Sequence, residues 1–243
     1  MATLTTNDSR VLSALFDPEA SPSSAANIEH DSQTLPGLSP EECSRLTAEE
    51  TLIIQQLHST APSPEHVERA HQAISKLIAD HPNFAPAYID RAQIQRLSLP
   101  MDHLFTSTKE TESRNLLQDL QKGIELASPP SPQSPVSGLQ TRLLAAAHTH
   151  RGLLLLKIAD MRRQLQPIFG AGTALTDLDP SAIEGVASKD FYQGGRYGNR
   201  IAQQLSVKTN PYAKMCGAIV KEAIQRDVDE AEGRFVSDLS ALA

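Results

Sequence analysis

Apolar residues recur every three to four positions along most of the chain, a period that predicts helices and not strands. The clearest stripe is Val67, Ala70, Ile74, Leu77 and Ile78, opened by Ser63-Pro64-Glu65 and closed at His81-Pro82. A capping serine, a proline in the first turn and a proline past the end are the punctuation of a helix. Ser39-Pro40-Glu41-Glu42 opens the preceding helix, with Glu42 placed to close a capping box and Leu46, Ile53, Ile54 and Leu57 turned inward as far as about His58. After Asn83, Pro86 starts a third helix whose Tyr88, Ala92 and Gln95 face a fourth carrying Leu116, Leu117, Leu120 and Ile124. A fifth begins near Leu139 and presents Gly152 to a helix marked by Ala187, Phe191 and Gly194, which should end near Gly198. Asn210-Pro211-Tyr212 opens the last, with Tyr212, Met215, Cys216, Ile219, Val220, Ala223 and Ile224 on one face and Lys214, Lys221, Glu222 and Gln225 on the other. The prediction is an all-α protein.

The spacing also repeats. Ala70-x3-Ile74-x2-Leu77-x4-Pro82, running into Ala87-Tyr88-x2-Arg91-Ala92, has the pattern of the second helix of one tetratricopeptide (TPR) repeat followed by the first of the next. Ala187-x3-Phe191-x2-Gly194 has the same spacing. The expected fold is a TPR-type α-solenoid of three helix pairs plus a C-terminal capping helix, with a flexible N-terminal arm. Residues 1–38 form the acidic flexible arm, with a short helix 8–16 capped by Asn7 and a Ser/Pro/Ala/Asn-rich stretch from Glu19 to Leu38. Residues 39–127 hold repeats one and two, 128–138 a Ser/Pro linker, and 139–208 repeat three with an inserted loop at about 161–183. Residues 209–228 form the capping helix and 229–243 a tail. Ala92 and Leu116 are 24 residues apart, and Gly152 and Ala187 are 35 apart. Against the spacing of about 12 in a regular repeat, both pairs carry insertions in their turns, the first around Ser98–Thr111.

Composition adjusts this picture at the margins. Of the 243 residues 40 % are hydrophobic, but only 4 % are aromatic and tryptophan is absent, which suits close packing through small side chains. The net charge of −7, with −6 concentrated in residues 1–42, argues against nucleic acid, whose binders carry a basic footprint. The first ten residues lack the apolar core of a secretory signal, no run reaches the length of a membrane span, and the last helix is too weakly basic for a membrane-surface helix. The two cysteines, Cys43 and Cys216, lie far apart. An intracellular protein, cytoplasmic or nuclear, with reduced thiols is the expectation.

Three segments, taken in order, resemble the tetratricopeptide repeat protein 36 family, small three-repeat proteins of eukaryotes. Asn7-Asp8 leads into Val11-Leu12-x2-Leu15-Phe16-Asp17-Pro18; Ala87-Tyr88-x2-Arg91-Ala92-Gln93 leads to Arg96-Leu97; Arg151-Gly152-Leu153-Leu154 and Asp190-Phe191 lead to Asn210-Pro211-Tyr212-Ala213-x2-Cys216. The resemblance covers most of residues 7–226; the insertions, the Ser/Pro linker and the tail after Asp227 depart from it. It implies a non-enzymatic TPR adaptor with a protein or peptide partner and a link to tyrosine metabolism through protection of a catabolic enzyme.

A solenoid binds along the concave groove lined by the first helix of each pair. That places Ile89, Asp90, Gln93 and Arg96 in the groove from repeat two, and Thr149, His150, Leu153 and Leu156 from repeat three. Chaperone-binding TPR proteins clamp a terminal carboxylate with lysine and asparagine; Asp90 stands where that clamp needs asparagine and would repel the ligand. The acidic arm, through its apolar Val11–Phe16 segment, is a candidate internal competitor for the groove.

Chemistry is sparse. His148 and His150 point away from each other on a helix and read as ordinary helix histidines, so no metal and no cofactor are expected. Gly194-Gly195-x2-Gly198 and Gly170-Ala171-Gly172 lack the lysine of a phosphate loop. Cys216 reads as a buried inert thiol, and Cys43, near a helix start, as the more reactive of the two. Arg162-Arg163 reads as a solvated helix end, and Ser128, Ser131 and Ser134 as parts of a spacer that proline-directed phosphorylation would charge. The rival reading is an enzyme with an unrecognised site in the 161–183 insertion, whose acids are Asp177 and Asp179 with Glu184 just beyond.

Overall fold

A computed structural model describes residues 26–29, 32–57 and 62–231, so the predicted helix 8–16 and the predicted tail beyond residue 231 lie outside the described residues, while residues 229–231 of that tail continue the last helix. The chain is all-α. The helices are α1 (Pro40–Gln55), α2 (Pro64–Asp80), α3 (Ala85–Ser98), α4 (Glu110–Ala127), α5 (Gly138–Arg163), the short α6 (Thr173–Thr176), α7 (Pro180–Arg196), α8 (Arg200–Thr209) and α9 (Pro211–Ala231). No helix among the described residues is long and apolar enough to cross a membrane.

Local chemistry sets the helix starts. Ser39 Oγ accepts the Glu42 N–H at 3.2 Å, and Ser63 Oγ accepts the His66 N–H at 3.3 Å. A full capping box opens α5: Ser137 Oγ accepts the Gln140 N–H at 3.0 Å, and Gln140 Oε1 accepts the Ser137 N–H at 2.9 Å. All five stripe residues predicted for α2 are buried.

Two apolar clusters share α3. One gathers Leu35, Leu46, Ile53, Ile74, Leu77, Phe84, Ala87 and Ile94. The other gathers Ile89, Ala92, Leu104, Leu116, Leu120, Leu144, Leu154 and Phe191. Tyr88, expected against α4, packs instead on the α1–α2 side and donates to the Pro82 carbonyl at 3.1 Å. Ala92 belongs to the cluster shared with α4, and Gln95 donates to the Glu112 carbonyl at 3.0 Å.

Three expectations need correction. The stretch before Leu38, read as flexible, is docked over the described part: Ile28–Glu29 (β1) pairs in parallel with Val136–Ser137 (β2). Leu35 is buried, and Ser137 Oγ donates to the Thr34 carbonyl at 2.6 Å. β2 also removes the last residues of the Ser/Pro linker from the spacer role. The insertions are folded as well. The first buries Leu104 and Phe105 and the second contains α6; the Phe169 N–H donates to the Phe105 carbonyl at 2.9 Å, tying the two together.

The third correction concerns the end of the chain. The helix against the last pair is α8, where Ala202 and Gln203 meet Gly194 and Gly195. The predicted capping helix, α9, leaves Met215, Ile219, Val220 and Ile224 between 55 and 60 % exposed. An amphipathic pattern states that a face favours burial, not which element covers it. The Gly194-Gly195 step admits α8 first.

Candidate functional site

The helix pairs are joined by glycines that stand where side chains would collide. A Cβ on Gly152 of α5 would lie 2.7 Å from the Phe191 ring of α7. A Cβ on Gly123 of α4 would lie 2.6 Å from Ile89 of α3, and one on Gly194 of α7 would lie 2.8 Å from Thr149 of α5. Above these contacts the same ion pair occurs twice. Arg91 donates to both carboxylate oxygens of Asp119 at 2.7 and 2.6 Å. Arg151 does the same to Asp190 at 2.8 and 2.6 Å, and His148 Nδ1 lies 2.8 Å from the same carboxylate. Burial works to raise the Asp190 pKa, but the bonds from Arg151, then His148, outweigh it and hold the carboxyl below its usual range. Ile89, Arg91 and Ala92 correspond to Thr149, Arg151 and Gly152, 60 residues on; Leu116, Asp119, Leu120 and Gly123 correspond to Ala187, Asp190, Phe191 and Gly194, 71 residues on.

This register corrects the groove prediction. Ile89 lies three residues before Ala92 and Thr149 three before Gly152, so each shares a helix face with a small contact residue and points into its pair. Ile89 is fully buried, and Thr149 Oγ1 donates to the Ala145 carbonyl at 2.6 Å beside Gly194. Leu156, four residues past Gly152, is half-buried against the core. Asp90, Gln93, Arg96, His150 and Leu153 remain on the face of α3 and α5; Gln93 and Leu153 are exposed and the other three half-buried.

Asp90 meets a residue that the sequence reading missed, Glu50 of α1. Burial, and then a hydrogen bond and charge repulsion from Asp90, push the Glu50 carboxyl up to about 10. Burial also raises Asp90, while the bond from Glu50 pulls it the other way. Burial and the approach of Asp90 therefore keep a proton on Glu50 at neutral pH. The signal was available: Glu50 is four residues after Leu46 and three before Ile53, on the buried side of α1. Further along the face, burial and then the Arg96 charge lower His150 to about 4, so its imidazole is neutral at pH 7.

The larger concavities lie elsewhere. A cleft of about 730 Å³ opens between α4, α5 and α7, with Leu117, Leu155, Leu175 and Val186 along its walls and Lys122 and Lys189 at its polar edge. A second, of about 720 Å³, lies between α7, α8 and the start of α9 and shares Val186 and Lys189 with the first. A third, of about 770 Å³, lies between α2, α3 and the first turns of α4. No predicted groove residue lines any of these three.

The remaining candidates have structural surroundings. No group of three or more metal-ligating side chains occurs among the described residues. Cys216 is exposed and Cys43 buried, the reverse of their predicted surroundings. The Cys43 thiol donates to the Gln33 carbonyl at 3.3 Å, and burial pushes its pKa up. Arg163 pairs with Asp160 and Glu184 at 2.5 Å each, so it is not simply solvated. In the insertion and just beyond it, Asp179 caps α7 by accepting the Ser181 and Ala182 N–H groups at 2.8 and 3.0 Å; Glu184 also accepts from Lys214; Asp177 is exposed.

A curated protein of Aspergillus fumigatus, the L-tyrosine degradation gene cluster protein hmgX, is 43 % identical to the chain over 240 residues, covering 93 % of this chain and 94 % of the relative. No family model matches the chain, and no solved structure matches it.

Proposed function

The chain belongs to the family of the L-tyrosine degradation gene cluster protein hmgX, and from that premise we propose that it is a non-enzymatic adaptor of tyrosine degradation, built from TPR-type helix pairs, that binds a metabolic enzyme of that pathway in the cytoplasm. The observation that carries the pathway is the 43 % identity over nearly the full length of both chains. The repeat reading is supported by the two Arg–Asp clamps and the two glycine contacts in equivalent positions of successive pairs.

Within this reading the partner lies against α1, α3 and α5. Gln93 and Leu153 are the accessible contacts, the Glu50–Asp90 pair supplies a half-buried carboxyl site, and neutral His150 can exchange hydrogen bonds without a charge penalty. Leu153 adds apolar area that loses water on docking. An acidic partner segment is disfavoured at Asp90; a basic or neutral one is favoured.

The test is a binding titration of the purified protein against each purified enzyme of tyrosine degradation from the same organism, with growth on tyrosine after gene deletion as the cellular readout. One enzyme should bind, and Leu153→Ala with Gln93→Lys, which removes apolar area and repels a basic segment, should weaken binding without changing the melting temperature. Binding by none of them, together with normal growth of the deletion strain on tyrosine, would reject the proposal.

A further inference from the structure

The largest unexplained feature of the fold is α9. Met215, Cys216, Ile219, Val220, Ala223 and Ile224 lie on one side of it and are exposed, a contiguous apolar stripe of the kind that monomeric proteins avoid. The helix still has a defined start, where the Lys214 N–H donates to the Asn210 carbonyl at 3.0 Å and Lys214 bonds Glu184 of α7.

An unfilled receptor for such a stripe lies on the same molecule. The outer face of α7 is flanked by two clefts of about 730 and 720 Å³ that share Val186 and Lys189. Half-exposed Tyr192 lies one turn further along α7, and Pro211 and Ala213 of α9 form a wall of the second cleft. Met215, Ile219, Val220 and Ile224 are exposed, so the stripe does not cover the receptor of its own chain, where Pro211 and Ala213 form the wall.

We infer that the occupant is a second copy of this chain: α9 of each copy lies along the α7 face of the other, in a reciprocal two-fold dimer. Two features favour a copy of the same chain over another partner. The first is charge. Asp227 continues the line of Ala223 one turn beyond the stripe and has no ion-pair partner among the described residues. Lys122 and Lys189 at the cleft edges likewise have no ion-pair partner there. The second is area. The stripe with Asp227, 13 residues from Met215, is about 20 Å long and roughly 10 Å wide. Two reciprocal contacts, counted on both partners, then bury about 800 Å², twice what a one-way contact would bury and the scale of a weak dimer that dissociates on dilution. Reciprocity also closes the assembly, where a one-way contact of stripe and cleft would grow into a filament.

The test is the mass of the full chain in solution by light scattering across a dilution series. The expected result is a dimer that dissociates on dilution. Ile219→Glu with Ile224→Glu should give a monomer of unchanged helix content and melting temperature, because both side chains are already exposed in the free chain. Lys189→Glu, which leaves α9 untouched, should weaken the dimer about tenfold, the scale of one interfacial ion pair. Asp227→Lys should restore it in that background. Zero-length carbodiimide coupling should join Lys189 of one copy to Asp227 of another in mixed isotope-labelled samples. A protein that stays monomeric at about 100 µM, a dimer indifferent to both sets of variants, or a monomer that instead binds phosphatidylserine vesicles through α9 would each overturn the inference.

Discussion

Gly152→Ala isolates the contact on which the α5–α7 pair depends. An added Cβ would lie 2.7, 2.9 and 3.0 Å from three atoms of the Phe191 ring, where carbon atoms at rest keep about 3.5 Å. The ring must therefore retreat by most of an ångström. Phe191 is 0 % exposed, so retreat means displacing its neighbours in the core, and overpacking of this kind costs about 1–3 kcal/mol. Alanine returns about 1 kcal/mol of helix propensity. The net expectation is destabilisation by about 0–2 kcal/mol, or a melting temperature lower by up to roughly 8 °C for a domain of this size. Gly217→Ala is the control: that glycine lies in α9 with nothing within 4 Å of the added carbon, so only the propensity gain remains. The assay is thermal and urea unfolding by circular dichroism, extended to Phe191→Leu and the double variant. Relief of the clash should make Phe191→Leu less costly in the Gly152→Ala background than in the parent. If Gly152→Ala raised the melting temperature as Gly217→Ala does, or if the two substitutions were additive, the nesting described here would be wrong.

Other consequences can be checked separately. Asp119→Ala leaves Arg91 partly buried with neither of its two carboxylate bonds and should cost about 2–3 kcal/mol in urea unfolding, and the double variant with Arg91→Ala should cost less than the two single losses added. Between pH 4.5 and about 10 the folded chain holds a proton on Glu50 that the unfolded chain has released, so this carboxyl lowers stability as pH rises; Glu50→Gln should flatten the alkaline limb of the melting-temperature profile. His150 acts in the opposite direction. Between pH 6.5 and about 4 the unfolded chain takes a proton that the folded chain excludes, so stability falls as pH drops, and the His150 ring signals in NMR should titrate near 4. A maleimide should label one thiol of the native protein rapidly, Cys216, with Cys43 reacting only on unfolding; equal rates would contradict the burial of α1 against Gln33.

What could be read from the sequence was local. Ser39-Pro40 and Ser63-Pro64 mark helix starts because capping needs only neighbouring residues, and the α2 stripe is legible because helical period is a property of one segment. The pairing of α5 with α7 followed from two short residue patterns 35 positions apart, Gly152 and the Ala187 helix, since only small residues permit such an approach. The clamps left a trace that was not used: Arg91-Ala92 and Arg151-Gly152 stand before Asp119-Leu120 and Asp190-Phe191 in the same order. What was illegible depends on distant partners. Glu50 on a buried stripe could signal strain, a ligand or a partner, and only the approach of Asp90 decides. Ile89 and Thr149 were placed in the groove by counting from Tyr88, whereas the small residues Ala92 and Gly152 fix which face turns inward.

The insertions illustrate why locality fails. Each lies in the turn of a pair, where a stack of helices absorbs extra residues at little cost in loop closure. Read separately, each is an idle loop. The Phe105 N–H, however, accepts no such idleness: it donates to Ser113 Oγ at 2.8 Å, while the Phe105 carbonyl takes the Phe169 N–H at 2.9 Å. Gly170 then lies so close to the Glu110 carbonyl that a Cβ there would stand 2.3 Å from it. The second pair and the third are therefore joined at their turns as well as along α4 and α5. A stack in which each unit touches its neighbour along one interface unfolds piecemeal when that interface weakens. Here the turn contacts add a second interface, and they place Ala171 and Leu175 over the α4–α7 cleft. The same extra residues that lengthen these turns thus build a wall of the cavity.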